Sequence, residues 1–286
     1  MEDRLPVLIV GAGPTGLLMA CELARHGIAF RIIDKNPKQT SSSNATWIQP
    51  LTIELFDAMG IAGQFVKLGH RCDGIHLHAR EKLSLHISLK YIDSIYPYIL
   101  MLPQSETEKI LIAHLESFNI PIERSLELID LKQDNQDQSV TATLRHASGK
   151  VETITSHWLI ACDGSNSLVR KKCEINFPGE DLPEQFMVAD AQMNSFHAHN
   201  EIHAFFDKKT VFIVSPLGSN KYRIMANIHQ SHPRKFFIEK EVREIVSERT
   251  HATYNVNSVS WIFPFWIHSK VVPQMRKGSV FLAVWL

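Results

Sequence analysis

The chain is 286 residues long, enough for one large domain or two smaller ones, and its 44% hydrophobic and 21% charged content is that of an ordinary globular protein. Thirty basic and thirty acidic side chains give a formal net charge of zero, which argues against a large nucleic-acid or anionic-membrane footprint. No apolar run approaches the roughly 18–20 residues a bilayer span needs, and the start Met1-Glu2-Asp3-Arg4 carries no secretory apolar region.

Residues Val7 to Asp34 spell out a strand–turn–helix–strand unit. A short apolar run (Val7, Leu8, Ile9, Val10) meets the glycine turn Gly11-Ala12-Gly13-Pro14-Thr15-Gly16. Leu17, Met19, Ala20, Leu23 and Ala24 give the next helix its apolar face, Gly27 ends it, and a second apolar run, Phe30 to Ile33, finishes on Asp34. In such a unit the first glycine allows the tight turn, the second lets the backbone approach a pyrophosphate, and the third permits close helix-on-strand packing. The N–H groups at the helix start attract the diphosphate. Asp34 stands where an acid accepts hydrogen bonds from an adenosine ribose, and its charge disfavours a 2′-phosphate. The six turn residues, with Asp34 and Lys35, are therefore the candidate site for an NAD- or FAD-like nucleotide, not NADP.

The polar, serine-containing stretch Asn36 to Asn44 reads as a loop. Ile48 to Met59 reads as a helix with Leu51, Leu55 and Phe56 on one face and Gly60 closing it. Between Gly74 and Tyr98 the pattern is that of a half-buried antiparallel sheet, with Ile75 and Leu77 alternating with histidines and Leu83, Leu85, Ile87 and Leu89 alternating cleanly. Ser105 to Phe118 is helical, opened by Ser105 with Glu106 and Glu108 in its first turn. Strands follow at Glu123–Lys132 and Ser139–His146, and a hairpin near Ser148-Gly149 leads to Val151–Ser156. His157 to Cys162 reads as a buried run that ends on Asp163-Gly164. Phe186 to Ile228 alternates again, a charged helix covers Arg234 to Arg249, and strand-like runs at Ser258–Phe265 and Ser279–Trp285 complete the pattern. A parallel nucleotide unit mixed with antiparallel strands implies an α/β protein of two intermixed domains.

Cys21, Cys72, Cys162 and Cys173 are scattered with no C-x-x-C pair, which reads as reduced thiols in a cytoplasmic protein. Fifteen histidines include the groups His76/His78 and His197/His199/His203, but there is no H-E-x-x-H pattern. No acidic or cysteine partner lies near His76 and His78 in sequence. They read as surface histidines, and no metal ligand is assigned.

Several motifs occur in a telling order. They are Gly11 to Gly16 with Asp34, then Leu102-Pro103-Gln104 with Thr107-Glu108 and Leu111, then Cys162-Asp163-Gly164-Ser165 with Ser167, Val169 and Arg170. Phe177-x-Gly179, Asp190, Tyr222-Arg223 and Arg276 to Ala283 come after them. Together they resemble the single-component FAD-dependent aromatic hydroxylases, the group that includes phenol and p-hydroxybenzoate hydroxylases, over nearly the whole chain. The resemblance implies a Rossmann-like FAD-binding domain (1–74, 99–178 and 270–286) with an inserted antiparallel-sheet substrate domain (75–98 and 179–269). It implies that Gly11, Gly13 and Gly16 hold the pyrophosphate and Asp34 the ribose. Gln104 would face the ribityl region, and Asp163 and Gly164 would contact FAD. It also implies NAD(P)H as a transient co-substrate and O2 as the source of the oxygen passed to a phenol-like ring, and it leaves room for a homodimer. No catalytic side chain is assigned.

The chain departs from the family pattern where Asn44 and Leu51 replace a usual arginine and where Lys270 replaces another. Val284 and Trp285 stand at the positions of a Gly-Asp pair whose acid holds the ribityl chain. On that resemblance the chain is shortened at its C-terminus, retention of FAD is expected to be weak, and turnover impaired. The alternatives are a non-catalytic nucleotide-binding remnant and another flavoprotein of the same fold, such as a reductase or halogenase; a plain NAD dehydrogenase fits less well.

Overall fold

The computed structural model describes residues 4–39, 45–79, 83–134, 136–195, 197, 199–228 and 235–283. Asn44, Arg234, Val284 and Trp285, on which some of the expectations fall, lie outside the described residues.

The elements in chain order begin with β1 (Leu5–Val10), α1 (Pro14–Arg25), β2 (Phe30–Asp34), β3 (Trp47–Ile48), α2 (Pro50–Ala58) and α3 (Ala62–Leu68). β4 (His70–Cys72), β5 (Gly74–Ala79), β6 (Leu83–Ser88), β7 (Ile99–Met101), α4 (Gln104–Glu116) and β8 (Glu123–Arg124) follow. Then come β9 (Leu126–Asp134), β10 (Ser139–His146), β11 (Val151–Ala161), α5 (Leu168–Lys172), β12 (Gly179–Ser195) and β13 (Glu201–Asp207). β14 (Thr210–Gly218), β15 (Lys221–Ile228), α6 (Glu239–Arg249), β16 (Tyr254–Lys270), β17 (Arg276–Lys277) and β18 (Val280–Leu282) complete the set.

These elements form two compact units, residues 1–44, 104–180 and 270–286 in the first and 45–103 and 181–269 in the second. The boundaries differ from the sequence division, because 45–74 and 99–103 cluster with the second unit. The reason is local pairing: β3, β7 and β4 make a three-stranded antiparallel sheet of their own.

In the first unit the sheet order is β17-β18-β11-β1-β2-β8, with β10 and β9 continuing from β11. β1 runs parallel to both β2 and β11, and the run from Val7 to Val10 is buried on both faces, as a central parallel strand must be. The sequence reading divides residues 151–162 into a hairpin arm and a separate buried run. They are one strand. Its first half pairs antiparallel with β10, its second half pairs parallel with β1 and β18, and its burial changes from alternating to continuous along the way. α1 starts with Pro14, which needs no N–H there, and buries Gly16, Leu17, Ala20 and Cys21. Gly27, at φ +67°, ends it by donating its N–H to Ala24 O. Arg31 on β2 grips both oxygens of Glu123 on β8 and also reaches Glu152 on β11, tying three strands together at their polar side.

In the second unit the sheet order is β16-β12-β15-β14-β13-β5-β6, antiparallel in its registered pairs except that β13 and β5 are parallel. Val242 and Val246 of α6 pack on Met187, Phe212, Val214 and Ile224, so that helix covers one face of the sheet. α2 is a helix, as its spacing predicts, but its buried face differs. Ile53 and Phe56 are inside, Phe56 stacking on Phe65 at 3.9 Å between ring centres, while Leu51 and Leu55 are 68% and 43% exposed. No helix among the described residues is long and apolar enough to cross a membrane.

Candidate functional site

The glycine turn sits where β1 and β11 end side by side. Cys162 N–H donates to Val10 O at 2.7 Å, and Gly11 N–H donates to Ile33 O at 2.8 Å. Gly11 has φ +103°, which L side chains rarely adopt, and a Cβ there would fall on the carbonyl of Cys162. A Cβ on Gly16 would fall on the carbonyl of Gly11, so α1 can approach the turn only without a side chain. Gly13 is different. It caps α1 with ordinary extended dihedrals, and a Cβ there would meet nothing within 4 Å. The first and third glycines serve packing, and the middle one faces open space.

That space is a cavity of about 490 Å3, all of it within the first unit. Of the candidate residues, Gly11, Ala12, Gly13, Asp34, Lys35, Gln104, Asp163 and Gly164 line it; Pro14, Thr15 and Gly16 turn away into the helix start. Asp34, only 8% exposed, is held in place by two backbone donors, Ala12 N–H at 2.7 Å and Asn36 N–H at 2.8 Å. The acid thus closes the turn as well as facing the cavity. Asp163 accepts from Val169 N–H at 3.2 Å through one oxygen, and its other oxygen is buried without a partner among the described residues. An unpartnered buried carboxylate oxygen is the kind of acceptor a bound ribityl or ribose hydroxyl satisfies. The open space at Gly13 and this orphan acceptor both fit a flavin nucleotide.

Among the lining residues that sequence reasoning missed are Arg124, Lys38 and Glu108. Arg124 lies 3.7 Å from Asp34 and Lys38 lines the same wall, so cations stand beside the acid. Glu108, only 2% exposed, accepts from Gln104 Nε2 at 2.8 Å, one helical turn along α4. Burial pushes its carboxyl above the usual range; hydrogen bonds from Gln104 and Gln39 and the charge of Arg124 oppose this, while Asp34 adds to it. The i,i+4 spacing of Gln104 and Glu108 was the available signal for that residue. Arg124 gave none, because its place depends on a two-residue strand pairing with the end of β2.

The sequence reading of these histidines as surface groups is corrected for four of them. His203 is 2% exposed, and His76, His78 and His197 are half-buried around it. The acid that looked absent is Glu201, two residues before His203 in sequence and 3.0 Å from His76 in space. Asp190 and Arg223, separate pieces of the motif series, form a bidentate pair across β12 and β15 at 2.7 and 2.8 Å. All four cysteines are free thiols.

A family model described as FAD binding domain matches residues 4–283. The chain belongs to that family. Pentachlorophenol 4-monooxygenase of Sphingobium chlorophenolicum is 31% identical over 284 residues, covering 97% of this chain and 52% of the relative. Anhydrotetracycline hydroxylase from Streptomyces rimosus superposes with a TM-score of 0.72 at 27% identity, covering 98% of this chain and 56% of the other. p-Nitrophenol 4-monooxygenase from Pseudomonas putida shares the fold at a TM-score of 0.82 and 23% identity, covering 99% of this chain and 72% of that one. The chain spans about half the length of the first curated relatives it matches.

Two outcomes test the site. Gly13→Ala folds with near-normal stability and loses flavin nucleotide, whereas Gly16→Ala loses about 2 kcal/mol or more of stability in urea unfolding; equal stability of the two variants contradicts the assignment. The raised carboxyl of Glu108 holds its proton more tightly in the folded state than in the unfolded chain, so wild-type stability falls as pH rises above the ordinary glutamate range of about 4.3. Glu108→Gln removes that slope. Thermal melts of the two proteins converge in acid and separate toward neutrality with the variant the more stable; parallel curves contradict it.

Proposed function

We propose that the chain carries the FAD site of a flavin-dependent monooxygenase that hydroxylates a phenol-like aromatic compound with NAD(P)H as electron donor. The observation that carries this reading is the cavity at Gly13, lined by Asp34 and by Asp163, one of whose carboxylate oxygens has no partner among the described residues. Family membership supports the cofactor, and relatives named for chlorinated phenols and nitrophenols support the substrate class. The four free thiols suit a reducing, cytoplasmic setting.

On this reading the backbone at Gly13 and the exposed N–H groups at the start of α1 receive the diphosphate, with the helix dipole behind it. Asp34, already oriented by Ala12 N–H, accepts from the adenosine ribose, and Lys35 and Arg124 offset its charge. Gln104 is held toward the cavity by Glu108, where its amide can reach the ribityl chain. Asp163 and Gly164 close the opposite wall; Gly164 has φ +81° and open space where a Cβ would stand, so its backbone can lie against the cofactor. FAD held by these residues would supply the redox chemistry of an NAD(P)H- and O2-dependent hydroxylation.

The test is a titration of the purified protein with FAD, followed by flavin fluorescence, and then NAD(P)H-dependent O2 uptake with substituted phenols. Expected are saturable binding of one FAD, weakening by about tenfold or more in Asp163→Asn and Asp34→Ala, and uptake stimulated by a phenol. Unchanged affinity in both variants contradicts the site. FAD binding with no phenol-stimulated uptake contradicts the monooxygenase reading and favours a nucleotide-binding role.

A further inference from the structure

A second cluster of chemistry-bearing side chains lies in the second unit, on the half of its sheet that ends with β13, β5 and β6. Strand alternation puts His76 and His78 of β5 on one face. In the register of the parallel pair, His203 stands beside His76 and Phe205 beside His78, and across the antiparallel pair His86 stands beside His76. His197 comes in from the turn before β13 and stacks on Tyr254 at 5.3 Å between ring centres. Five imidazoles thus share one surface, and sequence distance alone would have scattered them.

We propose that His78, His197 and His203 form a binding site for a divalent transition-metal ion of the zinc class. One nitrogen from each lies within 4.8 Å of the others, and His78 Nε2 is 3.0 Å from His203 Nδ1. Tetrahedral zinc at about 2.0–2.1 Å from each nitrogen sets its ligands roughly 3.3 Å apart, close to the His78–His203 spacing already present. A neutral imidazole keeps one N–H, so a shift of that proton to the outer nitrogen of the donor ring leaves both facing nitrogens with lone pairs for a metal ion. Two ligands sit on paired strands, which hold them rigidly, and the third sits on a turn that can adjust.

Two further observations favour this trio. His203 is almost wholly buried, so its ring is held in one place. His78 and His197 also line a cavity of about 890 Å3 shared with Phe205, Lys208 and Thr253, which leaves a fourth coordination position open to water or a small anion. The neighbouring group His76, His86 and Glu201 is a weaker candidate. Its carboxylate is already taken by the two imidazoles, at 3.0 and 2.8 Å. It is better placed to orient the His76 ring, which stacks 5.5 Å from His203.

The full chain is titrated with ZnCl2 by calorimetry and with CoCl2 by visible absorption. Expected are one ion per chain, the intense visible bands of four-coordinate Co2+, and affinity weakened by about tenfold or more in His78→Gln and in His197→Gln, with His86→Gln within about threefold of wild type. Cu2+-loaded wild-type protein gives a hyperfine pattern from three imidazole nitrogens, an answer that does not depend on the variants folding. No saturable binding, binding indifferent to His78→Gln and His197→Gln, binding lost through His86→Gln, or fewer than three nitrogens on Cu2+ overturns the proposal.

Discussion

The architecture of the first unit depends on one steric constraint: two backbones and a helix start meet where no side chain can stand. The carbonyl of Cys162 occupies the place of a Gly11 Cβ, and the carbonyl of Gly11 occupies the place of a Gly16 Cβ. Because interiors are close-packed, that contact fixes the end of β11 against the turn and α1 against both. It delivers Asp163 and Gly164 to the cavity that Gly13 lines. The Ala12–Asp34 hydrogen bond then fastens the tip of β2 to the turn, so the acid and the helix start keep one geometry before any ligand arrives. A pre-formed cradle spends little of the ligand's binding energy on ordering.

Much of this was legible in the residues. The apolar run of β1, the glycines and the acid at the end of β2 carry their meaning in spacing alone, because each is a local demand of one strand–turn–helix–strand unit. Local signals also located β10, α4 and most of α6. What the sequence reading got wrong was set by pairing at long range. β11 looks like two segments because its neighbours change half-way, from β10 to β1 and β18. The apolar face of α2 turns on which residues meet Phe65, so Ile53 and Phe56 are buried and Leu51 is not. β6 alternates cleanly, yet Leu85 and Ile87 stay exposed because it is an edge strand. The histidine cluster needed the β13–β5 register, a parallel pairing across more than a hundred residues that no local pattern encodes.

The two units therefore carry different chemistry in different ways. The first offers mainly backbone: glycines and a helix start, with carboxylates able to accept hydrogen bonds, a combination that would suit a large polar cofactor. The second uses side chains on a pleated surface, where alternation stacks like residues on one face. That contrast explains why a motif reading finds one and passes over the other.

The most direct test of the central claim is amide chemical-shift mapping of the protein with ADP, the part of FAD that the glycine turn and Asp34 would hold. The account predicts shifts concentrated at Ala12, Gly13, Thr15 and Gly16 and at Lys35 and Asn36, with the strands of the second unit unmoved. Saturable binding that leaves those amides in place would contradict it.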